Sequence, residues 1–153
     1  IEYYEDSLLP LARLYNLERE LDQALQEKIW LKSGGFLVIQ QTEAFVAIDV
    51  NTGKHSSKKD AEENYKQINR EAALEIARQI RLRNLSGMIL IDFINMRDCE
   101  DRSDLIQYMR SLVRSDSMQT VVVDVTTLGI MEITRKKSAK TLAEQLNQLR
   151  KGE

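Results

Sequence analysis

Apolar runs separated by polar turns predict strands along much of the chain. The runs 36–40 and 44–50 are joined by three polar residues, which predicts an antiparallel hairpin. Their nearly continuous apolar content predicts that both faces of the hairpin are covered. Further strands are predicted at 88–93, directly after a glycine, and at 119–125 and 130–134.

Apolar residues recur at helical spacing in the segments between these strands. The longest predicted helix, 61–83, carries an inward stripe of Ala61, Tyr65, Ile68, Ala72, Ile76 and Ile80. Other helices are predicted at 17–29 with Asn16 as its cap, at 101–114 and at 139–149, after a short helical or irregular segment at 7–15. The order predicts an α+β fold with a mixed sheet of about five strands and helices packed on it.

Length and composition restrict the class of protein. The 153 residues suit one domain, and 42% hydrophobic with 30% charged residues predicts a soluble chain with a core. A net charge of −2 differs from that of a stand-alone nucleic-acid binder. The single cysteine excludes an intrachain disulfide and favours a reducing, cytoplasmic compartment. Neither a membrane span nor a signal peptide is recognisable, and without an initiator methionine we expect a fragment of a longer protein.

Two of the predicted strands run into an aspartate. Phe45–Ile48 leads to Asp49, and Met88–Ile91 leads to Asp92. Because an unpaired buried charge is costly, two aspartates placed alike predict a shared task at the rim of the sheet, and Mg²⁺ is the first candidate ligand. Asn51 could contact a phosphate or a metal-bound water. The alternative is that both aspartates are ordinary strand-end residues that cap loops or helices.

Seven segments of the chain resemble the bacterial ribonuclease E/G family. They are Ile29–Gly35, Gln41–Ala44, Ile48–Gly53, Asn69–Ala73, Ile76–Leu85, Ile91–Ile94 and Leu128–Lys136. The resemblance implies a DNase I-like catalytic subdomain at 30–137, with an N-terminal helical lead-in at 1–29 and a C-terminal amphipathic helix or tail at 138–153.

The resemblance also implies a reaction and its residues. Asp49 and Asp92 match the aspartates that hold Mg²⁺, for which Mn²⁺ can substitute, and Asn51 matches the asparagine that assists at the scissile phosphate or the metal. The implied activity is endonucleolytic cleavage of single-stranded RNA to 5′-phosphate and 3′-hydroxyl ends, in RNA processing or decay in the bacterial cytoplasm.

Basic residues outside the acidic pair are candidate RNA contacts. They are Lys54, Lys58 and Lys59 after the first aspartate, Arg81 and Arg83 at the end of the longest helix, and Arg135 and Lys136 after the last strand. Contacts to phosphates would make RNA affinity fall as salt is added. Solvated surface charge is the alternative interpretation of each.

The chain also departs from the family pattern. Asn95 stands where members usually carry an aspartate, and the S1 domain, the 5′-monophosphate sensor and the Cys-Pro-x-Cys zinc link are not recognisable. We therefore expect no zinc and a weak or inactive isolated chain, and a homo-oligomer stays open. A non-catalytic RNA-binding or assembly module with the nuclease fold is the main alternative; a phosphatase-like enzyme or a DNA-directed nuclease is a third.

Overall fold

The computed structural model of the protein describes residues 3–5, 8–53 and 61–151. Its helices are α1 Leu11–Leu14, α2 Leu17–Ala24, α3 Ala61–Leu82, α4 Cys99–Val113 and α5 Leu142–Lys151. Its strands are β1 Lys28–Trp30, β2 Phe36–Gln41, β3 Val46–Asn51, β4 Gly87–Asp92, β5 Thr120–Val125 and β6 Ile130–Arg135. The predicted α+β fold is confirmed, but the described part of the chain has six strands instead of five.

All six strands form one mixed sheet in the order β1-β2-β3-β4-β6-β5. The β2–β3 hairpin is antiparallel, as predicted from its short connection. Helix α3 connects β3 to β4, so these two neighbours are parallel, while the remaining neighbours are antiparallel. Strands β3 and β4 therefore end at the same edge of the sheet.

The hydrophobic core lies between one face of the sheet and helices α3 and α4. The buried residues of α3 include Ile68, Ala72, Ile76 and Ile80, which confirms the stripe predicted from helical spacing. They pack in one cluster with alternate strand residues such as Ile48. No helix in the described ranges is long and apolar enough to cross a membrane.

The opposite face of the sheet, called the open face below, is not covered by any described helix. Its positions alternate with the buried ones: Asp49 lies between Ile48 and Val50, and Met88 on this face is 44% exposed. The prediction that both faces of the β2–β3 hairpin are covered is therefore wrong. Long apolar side chains occupy both faces of these strands, but only the α3 and α4 side is packed against helices.

The predicted helix 17–29 is also wrong at its C-terminal end. Helix α2 ends at Ala24, and Ile29 lies in β1, which pairs with β2 through Ile29 and Leu37. Asn16 adopts a left-handed conformation with φ 52° and makes no capping hydrogen bond with its side chain. Pairing with the next strand along the chain, β2, outweighs the local helical spacing at Ile29.

Candidate active site at the ends of β3 and β4

The structure brings Asp49 and Asp92 together. They are register partners at the ends of the parallel strands β3 and β4, so their backbones are about 5 Å apart, the usual distance between neighbouring strands. Both side chains lie on the open face and are exposed. The sequence positions differ by 43 residues, and the β3–α3–β4 connection is what makes them neighbours.

Asn51 orients the first of the two carboxylates. Its amide nitrogen Nδ2 donates a 2.8 Å hydrogen bond to Oδ2 of Asp49. Residues 49 and 51 share a face because side chains alternate along a strand. The amide carbonyl of Asn51 is thereby available as a neutral oxygen ligand beside two negatively charged ones.

The electrostatics of the pair favour a cation. Within the described ranges, neither Asp49 nor Asp92 forms a salt bridge with a lysine or arginine. The described ranges also contain no group of three or more histidine, cysteine, aspartate or glutamate residues that could hold a metal ion. Two carboxylates fit Mg²⁺, which is usually bound through one or two carboxylates and keeps several waters.

Asn69 fixes the loop that follows Asp92, a role that the sequence did not reveal. This α3 residue is fully buried; its Nδ2 donates to the carbonyl of Ile94 at 2.7 Å, and its Oδ1 accepts from the backbone N–H of Ile94 at 3.0 Å. The side-chain amide of Asn69 thus makes the same two hydrogen bonds to Ile94 that the backbone of a neighbouring strand would make. An asparagine among alanines on an inward helix face was the available signal, because buried polar groups are nearly always hydrogen-bonded.

A cavity of about 170 Å³ opens beside Asp92, between the loop after β4 and the β5–β6 turn. Its polar lining includes Asn95, Arg102, Thr126 and Thr127. Asn95 is exposed there. The position at which the chain departs from the family pattern therefore lines the space next to the acidic pair.

The β1–β2 turn packs against the chain that leaves β3. Gly53 has φ +70°, and a Cβ at this position would collide with the carbonyl oxygen of Gly34. The backbone N–H of Ser33 donates to Glu71 on α3 at 2.9 Å. These contacts fix the backbone on one side of Asn51. Gly34 and Gly53 lack a side chain, which lets the β1–β2 turn and the segment after β3 approach each other closely.

Two of the candidate RNA contacts lie far from the acidic pair, and three cannot be placed. Arg81 lies in the last turn of α3, and Lys136 follows β6 directly. Both are near the end of the sheet where Gly87 pairs with Arg135. The length of β4 separates that end from Asp92 by about 17 Å. Both side chains are exposed. Lys54, Lys58 and Lys59 lie outside the described residues.

Arg83 and Arg135 are buried, which argues against the prediction that they bind RNA. Arg83 is 6% exposed and donates to Gln79 at 2.7 Å and to the carbonyl of Gln26 at 2.6 Å, and burial lowers the pKa of its guanidinium. Arg135 is 5% exposed and donates to Asn84 and to the carbonyl of Leu85. The bonds of Arg83 join the end of α3 to the segment between α2 and β1, and those of Arg135 join β6 to the connection between α3 and β4.

The remaining partner of Arg135 is Asp116, in an ion pair with an N–O distance of 2.7 Å and side chains only 4% and 2% exposed. Burial alone would raise the pKa of Asp116. Hydrogen bonds from Arg135, Thr120 and the backbone of Met118 outweigh it, and the pKa is lowered to about 2. This pair is a structural link, since all of its members lie inside the fold.

Comparison with known proteins identifies the family of this chain. The sequence profile of the Ribonuclease E/G family matches residues 1–138. The chain belongs to the ribonuclease E/G family. It is 38% identical over 137 residues to ribonuclease G of Salmonella typhimurium and 40% identical over 137 residues to ribonuclease G of Haemophilus influenzae.

The match covers 90% of this chain and 28% of either ribonuclease G. Ribonuclease E of a Nostoc species is 35% identical over 144 residues, which cover 94% of this chain and 21% of that relative. The chain thus spans less than a third of the length of these relatives. Family membership is shown, and the activity of a whole ribonuclease is a separate question.

Proposed function

We propose that this chain is the catalytic part of a Mg²⁺-dependent endoribonuclease, which cleaves single-stranded RNA to 5′-phosphate and 3′-hydroxyl ends. The observation that carries the proposal is the register pairing of Asp49 with Asp92 on an exposed face. Membership of the ribonuclease E/G family supports RNA as the substrate.

Asp49 and Asp92 would hold the ion, with the amide oxygen of Asn51 beside them. Bound there, Mg²⁺ would supply Lewis-acid chemistry at a phosphate group. The hydrogen bond from Asn51 restricts the Asp49 carboxylate to one orientation, which lowers the cost of binding a cation. Without a cation, the two carboxylates would repel a phosphodiester, so we expect divalent ion and RNA to bind this spot cooperatively.

The position of the pair also suits a polymeric substrate. The carboxylates project from an uncovered sheet face at the ends of two strands, where a long single strand could pass without threading through a closed pocket. We further propose RNA processing or decay in the bacterial cytoplasm as the setting. Other regions of a longer protein would supply additional contacts to RNA.

The proposal is tested with single-turnover cleavage of a 5′-labelled single-stranded RNA at excess protein, because we expect the isolated chain to be slow. Cleavage should need Mg²⁺ or Mn²⁺, stop in EDTA and leave 5′-phosphate ends. D49N and D92N should lose it by at least about 100-fold, whereas D104N, an exposed acid on α4, should not. Equal cleavage by D92N, or products with cyclic phosphate ends, would refute the assignment.

A second readout does not depend on turnover. Mg²⁺ binds the folded protein in this proposal, so it should raise the melting temperature of the wild type and leave that of D92N unchanged. A chain that binds RNA but shows no response to divalent ions would support a different function. That second candidate is a non-catalytic RNA-binding or assembly module, and Asn95 beside Asp92 favours it. N95D should then restore a response to Mg²⁺.

A further inference from the structure

An exposed tryptophan and a half-buried phenylalanine form a pair of aromatic rings on the open face next to the candidate active site. Trp30 on β1 is 64% exposed, and its ring centroid is 5.2 Å from that of Phe36 on β2, with 57° between the ring planes. Trp30 is the only tryptophan in the sequence. An indole left this open to solvent loses the benefit of burial, which makes the position informative about a ligand.

A lysine sits on the same two rings. The ammonium nitrogen of Lys28 lies 4.3 Å from the centroid of Trp30 and 3.8 Å from that of Phe36. Such cation–π contacts hold the side chains in one arrangement and keep a positive charge beside the rings. The three residues, Lys28, Trp30 and Phe36, are called the aromatic platform below.

The platform is continuous with the acidic pair across the sheet. Trp30 pairs with Phe36, Phe36 pairs with Asn51, and Asn51 donates to Asp49. Strand β1 is two strand spacings from β3 and three from β4, so Trp30 lies about 10–14 Å from the strands that carry the aspartates. About three to four stacked nucleotides, at 3.4 Å each along one strand, cover that distance.

We propose that the aromatic platform is a nucleobase-stacking subsite, which holds a base of single-stranded RNA about three to four nucleotides from the phosphate at Asp49 and Asp92. This subsite rests on the proposed function, whose substrate it positions. Sequence-tolerant binding of single strands commonly combines stacking on aromatic rings with positive charge along the backbone. The base would stack on Trp30, and Lys28 would face the neighbouring phosphate.

The chemistry of the platform favours a nucleic acid over a protein as its occupant. Two rings and one ammonium group match one base and one phosphate. A stable protein interface buries about 1,200–2,000 Å² in total and depletes lysine at its centre. The two carboxylates that adjoin the platform on the open face would be costly to bury against an apolar partner.

The test uses the full 153-residue chain with Mg²⁺ at low salt, and binding is recorded immediately after mixing, before the slow isolated chain cleaves the RNA. A single-stranded ten-nucleotide RNA should quench the fluorescence of Trp30. An abasic oligonucleotide with the same number of phosphates should quench it far less, because it has no base to stack. Strong quenching by both ligands would mean that Trp30 responds to phosphate alone and would overturn the proposal.

Variants measure the contribution of stacking through the anisotropy of a dye-labelled RNA. W30L should weaken binding about 5- to 20-fold, whereas W30F should stay within about threefold of the wild type because it retains a ring. The matched control is Y15L, since Tyr15 on the lead-in is also 64% exposed, and it should bind like the wild type. Affinity of W30L equal to that of Y15L would overturn the proposal.

A protein occupant gives a different result. If a second copy of the chain covers the platform, Trp30 emission should change with protein concentration and sedimentation should show a dimer that RNA does not disrupt. Such a result overturns the subsite. The quenching experiment on the wild type needs no substitution, so it decides the matter even if W30L folds poorly.

The subsite and the proposed nuclease function can fail separately. Loss of cleavage in D92N with unchanged RNA binding in W30L would leave the nuclease standing and remove the subsite. Quenching by RNA and weaker binding by W30L, with no cleavage and no Mg²⁺ response, would leave the subsite standing and remove the nuclease.

Discussion

The two ends of strand β4 use charged residues in opposite ways. At its C-terminal end, Asp92 lies beside Asp49 on an exposed face, with no cationic partner among the described residues. At its N-terminal end, Arg135 is buried and bonded to Asp116, Asn84 and the carbonyl of Leu85. One end concentrates unneutralised charge, and the other neutralises its charge completely.

This difference separates residues that keep the fold from residues that can bind a ligand. A buried charge is tolerated only when it is paired, so the Arg135–Asp116 link contributes to stability when intact and is costly when broken. Two like charges on an exposed face lower the stability slightly, and a bound cation would neutralise them. The comparison predicts that substitutions at the buried end will mainly lower stability, whereas substitutions at the exposed end will mainly weaken ligand binding.

The largest expected effect on stability comes from breaking the buried pair. D116A leaves the guanidinium of Arg135 buried without its anion, so the free energy of unfolding should fall by about 3–5 kcal/mol. The control is D22A, which removes an exposed ion pair with Arg150 at the same 2.7 Å distance and should cost at most about 1 kcal/mol. Urea denaturation measures both, and similar losses would contradict the role of burial.

The next effect comes from the buried amide that holds the loop after Asp92. N69A removes two hydrogen bonds to Ile94 inside the protein, so we expect a loss of about 2–4 kcal/mol. It should also weaken Mg²⁺ binding, because the loop beside Asp92 loses its anchor. N147A, at an exposed position on α5, should change neither quantity. A loss of stability with unchanged Mg²⁺ affinity would confine Asn69 to a structural role.

Acid should weaken the buried end before it unfolds the rest of the protein. The pKa of Asp116 is lowered in the folded state from 3.8 to about 2, so the stability that its ionised form contributes is complete above about pH 5 and is lost as the pH falls towards 2. The lowered pKa of Asp116 contributes about 2 kcal/mol to the free energy of unfolding. Urea midpoints measured from pH 5 to pH 2.5 should fall less steeply in D116N than in the wild type; parallel curves would contradict the assignment.

The smallest effect is expected at the exposed end and has the opposite sign. Like charges directly opposite each other on neighbouring strands are unfavourable, so D92N should raise the free energy of unfolding by up to about 1 kcal/mol in metal-free buffer. Saturating Mg²⁺ should stabilise the wild type alone and reverse the order. A destabilised D92N in EDTA would mean that Asp92 has a structural partner.

Patterns in the sequence were sufficient for the elements that flank the site. The apolar runs that end at Asp49 and Asp92 predicted β3 and β4 almost to the residue, and the stripe through Ile68 and Ile76 predicted α3. A strand, a helix and a second strand in that order imply a parallel pair, so the pairing of the two aspartates was within reach of sequence reasoning.

What the sequence could not supply was which residues pair across separate elements. Arg135 and Lys136 are neighbouring basic residues, and nothing in the local sequence tells them apart. Arg135 pairs with Asp116, which lies between α4 and β5, whereas Lys136 faces solvent. Ile29 continued a helical spacing, and only its pairing with Leu37 places it in a strand. The inward position of Asn69 was open to sequence reasoning, but its partner was not, because that partner is the backbone of Ile94, 25 residues away.

The most direct test of the account is a Mn²⁺ titration of the ¹⁵N-labelled chain followed by NMR. A site shared by Asp49 and Asp92 predicts saturable paramagnetic broadening that is centred on the ends of β3 and β4, is absent in D92N and leaves the signals around Arg135 and Asp116 sharp. Broadening that does not saturate, or that is the same in D92N and the wild type, would contradict the claim that the exposed acidic end of the sheet is a metal site.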